Sequence, residues 1–278
     1  MSEPVRVGLV GREILASRSP WLHEQEALAQ GFALRYELID FTARNLADTD
    51  LPRVLDELVA RGFAGVNVTY PFKQAVIPLL TGLSPGAQRI GAVNTVRFRG
   101  DERRGFNTDV TGFAAAVSEC LPGAALDTVV QVGAGGGGSA TAFALLDLGC
   151  RNLMLFDSRP ERAATLAARL VRAFPDRNVV ARENLAAAVN AADGIVNATP
   201  LGMAKSPGSA VPAALLEPRH WVADIVYFPL ETELLRAAAG RGCRVLDGSA
   251  MAVGQAAAAF EIFTEHAADR ARMRASFA

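Results

Sequence analysis

Two residues in the first part of the chain are of types that exchange a proton with a bound hydroxyl: Lys73 and Asp109. Each follows a strand-like stretch, Gly65-Val-Asn-Val-Thr69 for the lysine and Arg104 to Asn107 for the acid. Pro71 stops strand pairing just before Lys73, because proline has no N–H to give to a ladder. A lysine beside a carboxylate can protonate a developing alkoxide and remove the same proton in reverse. Taken singly, Lys73 is a solvated surface charge and Asp109 a helix N-cap before Val110-Thr-Gly-Phe113. Hydroxyl and amide side chains collect near the same strand ends: Ser17 and Ser19 after the first strand, Asn67 on the third, Asn94 in a hairpin. Ligands of open α/β sheets gather at the carboxyl ends of strands. Each has a plainer use as well. Ser19 could cap the helix that Pro20 begins, and Asn67 and Asn94 could satisfy turn backbone.

A second chemistry is written in Val129-Val-Gln-Val-Gly-Ala-Gly-Gly-Gly-Gly-Ser-Ala140. Its β-branched start reads as a buried parallel strand. The strand breaks into Gly133, Ala134, Gly135, Gly136, Gly137 and Gly138, and a helix-compatible run from Ser139 to Leu148 follows. Gly133, Gly135 and Gly138 keep the G-x-G-x-x-G spacing. The first allows the sharp turn, the second lets a pyrophosphate reach the backbone, and the third lets helix and strand pack closely. The helix start then offers unpaired N–H groups to phosphate. Asn152-Leu-Met-Leu-Phe156 reads as the next strand and ends at Asp157. An acid roughly twenty residues past the turn accepts from ribose hydroxyls and repels a 2′-phosphate. Arg159 is of the type that accommodates that phosphate, so the pattern predicts NAD, with NADP as the alternative. Without a ligand the same stretch is a glycine-rich loop, and Asp157 a solvated acid before Ser158-Arg-Pro160.

These residues need elements to hold them. Val5 to Val10, Leu34 to Asp40 and Gly65 to Thr69 read as strands, separated by helices over Trp21 to Gln30 and Leu51 to Arg61. A helix over Gln74 to Leu80, a hairpin around Gly100-Asp101 and a helix over Thr111 to Cys120 follow, with the domain boundary near that last helix. Beyond the glycine turn, helices over Arg162 to Phe174, Leu185 to Ala192 and Glu233 to Arg241 alternate with strands at Val179-Val180, Gly194 to Asn197, Trp221 to Val226 and Arg244 to Leu246. Met251 to Phe263 reads as an apolar helix and Asp269 to Arg274 as a basic surface helix. The alternation predicts the α/β class, with largely parallel sheets.

With 278 residues, half of them hydrophobic, the chain can bury one large core or two ordinary ones. A net charge of −1 gives no basic footprint for nucleic acid or anionic lipid. No apolar run reaches membrane-spanning length, and no signal peptide is legible. Cys120, Cys150 and Cys243 are scattered and odd in number, which fits a reducing cytoplasm better than a disulfide framework. His23, His220 and His266 share no ligand spacing with them, so no metal is expected.

Eight stretches, in order and over nearly the whole chain, resemble the shikimate dehydrogenase family, including its quinate/shikimate branch. They are Ser17-Arg-Ser-Pro20, Asn67-Val-Thr-Tyr-Pro-Phe-Lys73, Gly91-Ala-Val-Asn-Thr95, Gly105-Phe-Asn-Thr-Asp109, Gly133-Ala-Gly-Gly136, Asn197-Ala-Thr-Pro-Leu-Gly-Met203, Asp224-Ile-Val-Tyr-Phe-Pro229 and Asp247-Gly through Gln255. The resemblance implies a substrate-binding and catalytic domain over 1–110, completed by C-terminal helices at 248–278, and a Rossmann-like NAD(P) domain over 111–247. It implies that Lys73 and Asp109 are the catalytic pair. Ser17, Ser19, Thr69, Asn94 and Gln255 would hydrogen-bond the hydroxyls and carboxylate of a small polyol acid, with Tyr227 near the carboxylate. The implied cofactor contacts come from Gly133, Ala134, Gly135, Gly136 and Gly137, from Asp157, Ser158 and Arg159, and from Asn197, Ala198, Thr199, Met203, Val226 and Gly248. Gly254 would stand near the nicotinamide end.

Where NADP-using members carry Asn-Arg-Thr, this chain has Asp157-Ser158-Arg159, which looks like the NAD-preferring branch. Ala16 replaces the histidine common in biosynthetic members. His23-Glu24 and Arg272-Met-Arg274 look like the quinate/shikimate branch, whereas Ser19 lacks the methyl of the threonine that similar quinate users carry. The implied reaction is the interconversion of shikimate and 3-dehydroshikimate, with quinate or an amino-substituted shikimate as alternatives, by a monomer or homodimer. A folate-type two-domain dehydrogenase is a different enzyme class, and the hydroxyl-binding set argues against it. A regulator that binds NAD without turnover is a non-enzyme class, and the Lys73/Asp109 pair argues against that.

Overall fold

The computed structural model describes residues 3–277. The described residues up to Thr108, together with those from Val253 onward, form one compact unit, and Asp109–Ala252 form another. The first stretch runs β1 (Val5–Gly11), α1 (Ser19–Ala29), β2 (Leu34–Asp40), α2 (Leu51–Ala60) and β3 (Phe63–Val68). Helical crossovers force β1 to lie parallel to both β2 and β3. Then come α3 (Phe72–Ala75), β4 (Gly82–Leu83), α4 (Pro85–Ile90), β5 (Thr95–Arg99) and β6 (Glu102–Phe106). The tight turn at Gly100-Asp101, with Gly100 at φ +53°, makes β5 and β6 antiparallel. The sheet order is β2-β1-β3-β5-β6-β4.

Two features differ from the sequence expectation. The helix expected over Gln74 to Leu80 divides into α3 and a 3-10 turn at Ile77–Leu79, because Pro78 has no N–H to continue the ladder. The sequence reading also misses β4 and α4, although Ser84 caps α4 by accepting from the Ala87 N–H at 3.2 Å.

The second unit follows α5 (Thr108–Cys120) with β7 (Thr128–Val132), α6 (Gly136–Asp147), β8 (Asn152–Phe156), α7 (Pro160–Ala173), β9 (Asn178–Ala181), α8 (Leu185–Ala191), β10 (Gly194–Asn197), β11 (Trp221–Asp224), α9 (Glu233–Gly240) and β12 (Arg244–Leu246). All six strands are parallel, in the order β12-β11-β10-β7-β8-β9. Every residue of β10 is buried, as a central strand covered on both faces requires. The strand order reverses between β7 and β10, which makes that gap the topological switch point of a doubly wound sheet.

The chain ends with α10 (Gly248–Thr264) and α11 (Arg270–Phe277). Successive residues of β1 face opposite ways, so the first unit has a core on each side of its sheet. On one side, Leu51, Leu55 and Leu58 of α2 pack with Val10, Val66 and Phe72. On the other, Ala27 of α1 and Phe260 and Phe263 of α10 pack with Val7, Leu9 and Tyr36. Among the described residues no helix is long and apolar enough to cross a membrane.

Candidate active site

In the first unit the site begins where β1 ends. Asp40, the last residue of β2, is buried and accepts from the N–H groups of Ile14 at 2.8 Å, Glu13 at 3.2 Å, Thr42 at 2.9 Å and Ala43 at 3.2 Å. Burial by itself would raise its pKa, but the backbone donors outweigh that and hold it below the usual carboxylate range. The anchored loop carries Ser17, whose Oγ accepts from the Ser19 N–H and donates to the Ser19 Oγ, each at 3.2 Å. Ser19 is the first residue of α1. The cap position falls on Arg18 and no side chain caps that helix, so the Ser19 hydroxyl is not spent as a cap.

Strand β3 supplies the next group. Asn67 Oδ1 accepts from the Tyr36 hydroxyl at 2.8 Å, and its Nδ2 donates to Thr95 Oγ1 at 2.9 Å and to the Asn94 carbonyl at 3.3 Å. Asn94 Oδ1 accepts from the Thr108 N–H at 2.7 Å and from Thr95 Oγ1 at 3.1 Å, and its Nδ2 donates to Thr108 Oγ1 at 3.0 Å. All five are buried, and their mutual bonds remove the cost of burying them. Thr69 follows β3, its N–H donating to the Val10 carbonyl at 3.0 Å. Its methyl lies where a side chain at Gly11 would stand. The Tyr70–Pro71 peptide is cis, and α3 then carries Lys73, half-buried. The Lys73 carbonyl accepts from the Val93 N–H at 2.8 Å, next to Asn94. Ser17, Ser19, Thr69, Lys73 and Asn94 are thus gathered at the carboxyl ends of β1 and β3 and the adjoining start of β5. Gln255 lies half-buried on α10.

Asp109 is the second residue of α5, inside its first turn, rather than the N-cap. An acid there is favoured by the helix dipole.

In the second unit the glycine turn lies at the switch point. Gly133 has φ +107°, and a Cβ on it would overlap the Ala198 carbonyl beyond β10. A Cβ on Gly138 would overlap the Gly133 carbonyl, so helix and turn approach as the fingerprint requires. Gln131 Nε2 donates to the carbonyls of Gly133 at 2.9 Å and Gly138 at 2.8 Å, fixing the turn from beneath. Helix α6 starts at Gly136, three residues earlier than expected. Its N-cap is Gly135 with no side-chain cap, and a Cβ on Gly135 or Gly136 would meet nothing within 4 Å. An open turn, a helix N-terminus with no side-chain cap and an acid at the end of β8 together fit a dinucleotide. Asp157 also braces the turn: Oδ2 accepts from the Ala134 N–H at 2.8 Å and Oδ1 from the Arg159 N–H at 3.0 Å. Ser158 and Arg159 are exposed.

Asn197 is fully buried. Its Nδ2 donates to the Leu201 carbonyl at 3.0 Å and to Asp224 Oδ1 at 2.9 Å, while Oδ1 accepts from the Thr199 N–H at 3.0 Å and Thr199 Oγ1 at 2.7 Å. Its amide is spent inside the fold and shapes the turn of Ala198 and Thr199. Burial raises the pKa of Asp224 despite bonds from the Val226 N–H, Asn197 and Thr232. Met203 and Tyr227 are 41% and 52% exposed, Val226 is buried, and a Cβ on Gly248 would overlap the Val226 carbonyl.

Sequence reasoning misses Asp40, Tyr36, Thr95 and Thr108. Tyr36 carries a signal: it alternates inward with Leu34 on β2, and a buried tyrosine hydroxyl needs a partner. The threonines carry none beyond their place in the quoted motifs, because the partners of Thr95 are set by strand register and those of Thr108 by where α5 begins.

An all-parallel doubly wound sheet with this glycine turn, in one chain with an α/β unit that carries a half-buried lysine and hydroxyl and amide groups at its strand ends, is the build of a dinucleotide-dependent enzyme. Residues 9–96 match the family model described as the shikimate dehydrogenase substrate binding domain, and 248–276 that of the shikimate 5'-dehydrogenase C-terminal domain. Over 278 residues the chain is 49% identical to the shikimate dehydrogenase (NADP(+)) of Arthrobacter sp. (strain FB24), covering 99% of this chain and 95% of that one. It is 46% identical to the quinate/shikimate dehydrogenase (NAD(+)) of Corynebacterium efficiens, covering 99% and 98%. Among solved structures it matches the quinate dehydrogenase from Corynebacterium glutamicum in complex with NAD, with a TM-score of 0.96 and 45% identity over 99% of each chain. The chain belongs to the shikimate dehydrogenase family.

Proposed function

We propose that this chain interconverts shikimate and 3-dehydroshikimate with NAD as its preferred cofactor. The observation that carries the reading is the gathering of Ser17, Ser19, Thr69 and Asn94 around the strand ends next to Lys73. A small polyol acid needs many directed hydrogen bonds, and a missing hydroxyl would leave buried groups unpaired. When bound, the nicotinamide supplies hydride exchange at a carbinol carbon. Lys73 holds and returns the hydroxyl proton, and Asp109 is the carboxylate assigned to keep it charged. Ser17, Ser19, Thr69, Asn94 and Gln255 orient the ring acid, with Tyr227 toward its carboxylate. The glycine turn takes the pyrophosphate and Asp157 the ribose, while Ser158 and Arg159 border it. Ala198, Thr199, Met203, Val226 and Gly248 line the nicotinamide end. In this reading residues 1–110 with 248–278 bind substrate and 111–247 bind cofactor, in a cytoplasmic monomer or homodimer.

The relatives' names divide between NADP(+) and NAD(+), and the acid at Asp157 favours NAD by repelling a 2′-phosphate. The test is a set of steady-state rates for shikimate and quinate, each with NAD and NADP, on the native chain and on Lys73→Ala. Shikimate with NAD should give the highest kcat/KM. The variant should lose about two to four orders of magnitude in turnover while still binding NAD, the usual share of general acid–base catalysis. Higher kcat/KM with quinate moves the substrate assignment to quinate, and near-native turnover in Lys73→Ala removes the lysine from the chemistry.

A further inference from the structure

Tyr36 stands on β2 with its side chain turned into the first unit. Its hydroxyl donates to Asn67 Oδ1 at 2.8 Å, and the Ser19 side chain is near enough to act on the same phenol oxygen. Asn67 leads on to Thr95 and Asn94, and Ser19 to Ser17. One phenol oxygen therefore stands between the serine pair of the β1–α1 loop and the amide and hydroxyl chain of β3 and β5, and is bonded to the latter. Both ring and backbone of Tyr36 are held by α1, the helix that Ser19 begins. The ring lies 4.8 Å, centroid to centroid, from that of His23, and the Tyr36 N–H donates to Glu24 Oε1 at 2.9 Å. Burial pushes the phenol pKa up, so the donor stays in place at neutral pH. Serine lacks the branch that fixes a threonine's χ1, so the Ser19 hydroxyl depends on an outside partner for its direction.

We infer that Tyr36 is a positioning residue for substrate recognition: its hydroxyl sets the directions of Ser19 and Asn67, and through them the fit of the ring acid. The inference rests on the function proposed above. Tyr36→Phe keeps the ring and removes only the oxygen. It should raise the KM for shikimate about tenfold, the loss that follows when one buried hydrogen bond is removed. kcat should change by about threefold at most and the KM for NAD should stay near native, while the Tm falls by a few degrees as Asn67 Oδ1 loses its donor. In a Ser19→Ala background the same change should add less than it does alone, because only the path through Asn67 is left to cut.

An unchanged KM for shikimate in Tyr36→Phe overturns the inference. So does full additivity with Ser19→Ala, or a KM for NAD that moves in step with a lowered Tm. A native chain that turns over no cyclohexane acid defeats the proposed function itself, whereas an active native chain indifferent to Tyr36→Phe defeats this inference alone.

Discussion

Asp157 shows how one side chain can serve two demands. Its carboxylate braces the glycine turn through the Ala134 N–H and, in the proposed function, keeps further lone pairs for a ribose. An asparagine there still offers one acceptor to Ala134 but no longer repels a phosphate. Asp157→Asn combined with Ser158→Arg should therefore raise kcat/KM with NADP relative to NAD by about tenfold or more, since one charge-assisted hydrogen bond contributes that much. Steady-state rates with both cofactors on the double variant check this, and an unmoved ratio would show that Asp157 serves only the turn. The role of Asp157 as strand-ending acid is legible from spacing alone. Its brace to Ala134 is not, because that depends on how tightly the turn closes. Asn197 was legible only as part of a motif, and burial then gives its amide a structural task.

Helix α1 carries Ser19 at its start and a buried titratable pair further along. His23 is wholly buried, packed among the rings of Tyr36, Phe260 and Phe263, and burial pushes its pKa down to about 3. Glu26, also buried, would be raised by burial. Its bonds to Arg272, the Asp269 N–H and Gln30 outweigh that and lower it. Both groups are depressed in the folded state, so the stability tied to them is present above their unfolded values and is lost as pH falls. For His23 the loss begins near its ordinary value of 6.5 and continues toward 3. It should contribute about 1.4 kcal/mol per pH unit across that window. His23→Leu should flatten the fall in stability between roughly pH 6 and 4.5. Denaturant melts at several pH values compare the two, and equal slopes would mean that the imidazole is protonated in the folded chain. The sequence places His23 and Glu26 on a helix but does not show them buried, because the α10 and α11 residues that cover them come from the far end of the chain.

At the scale of the molecule, the α/β class and the parallel second sheet could be read from alternation and spacing, whereas the order of its strands in the sheet could not. The edge of the first sheet could not. Strand β4 has two residues, too few for any period, and α4 is announced only by Ser84-Pro85. The first unit is also split in sequence, closed by residues from Val253 onward that include Phe260, Phe263, Met273 and Phe277. A chain ending at Ala252 should keep amide protection in β7 to β12 and lose it in β1 to β3, as hydrogen exchange would show. Protection of β1 to β3 in that truncation would mean the first core closes without its last helices.

That split has a consequence for synthesis. As the nascent chain leaves the ribosome, the segment Asp109–Ala252 is complete while the unit that begins the chain still lacks its final packing. The indole of Trp21 waits for the carbonyl of Ser276, 255 residues later in the chain. The parallel sheet of the second unit is thus made before the residues that hold the serine-bearing helix in place.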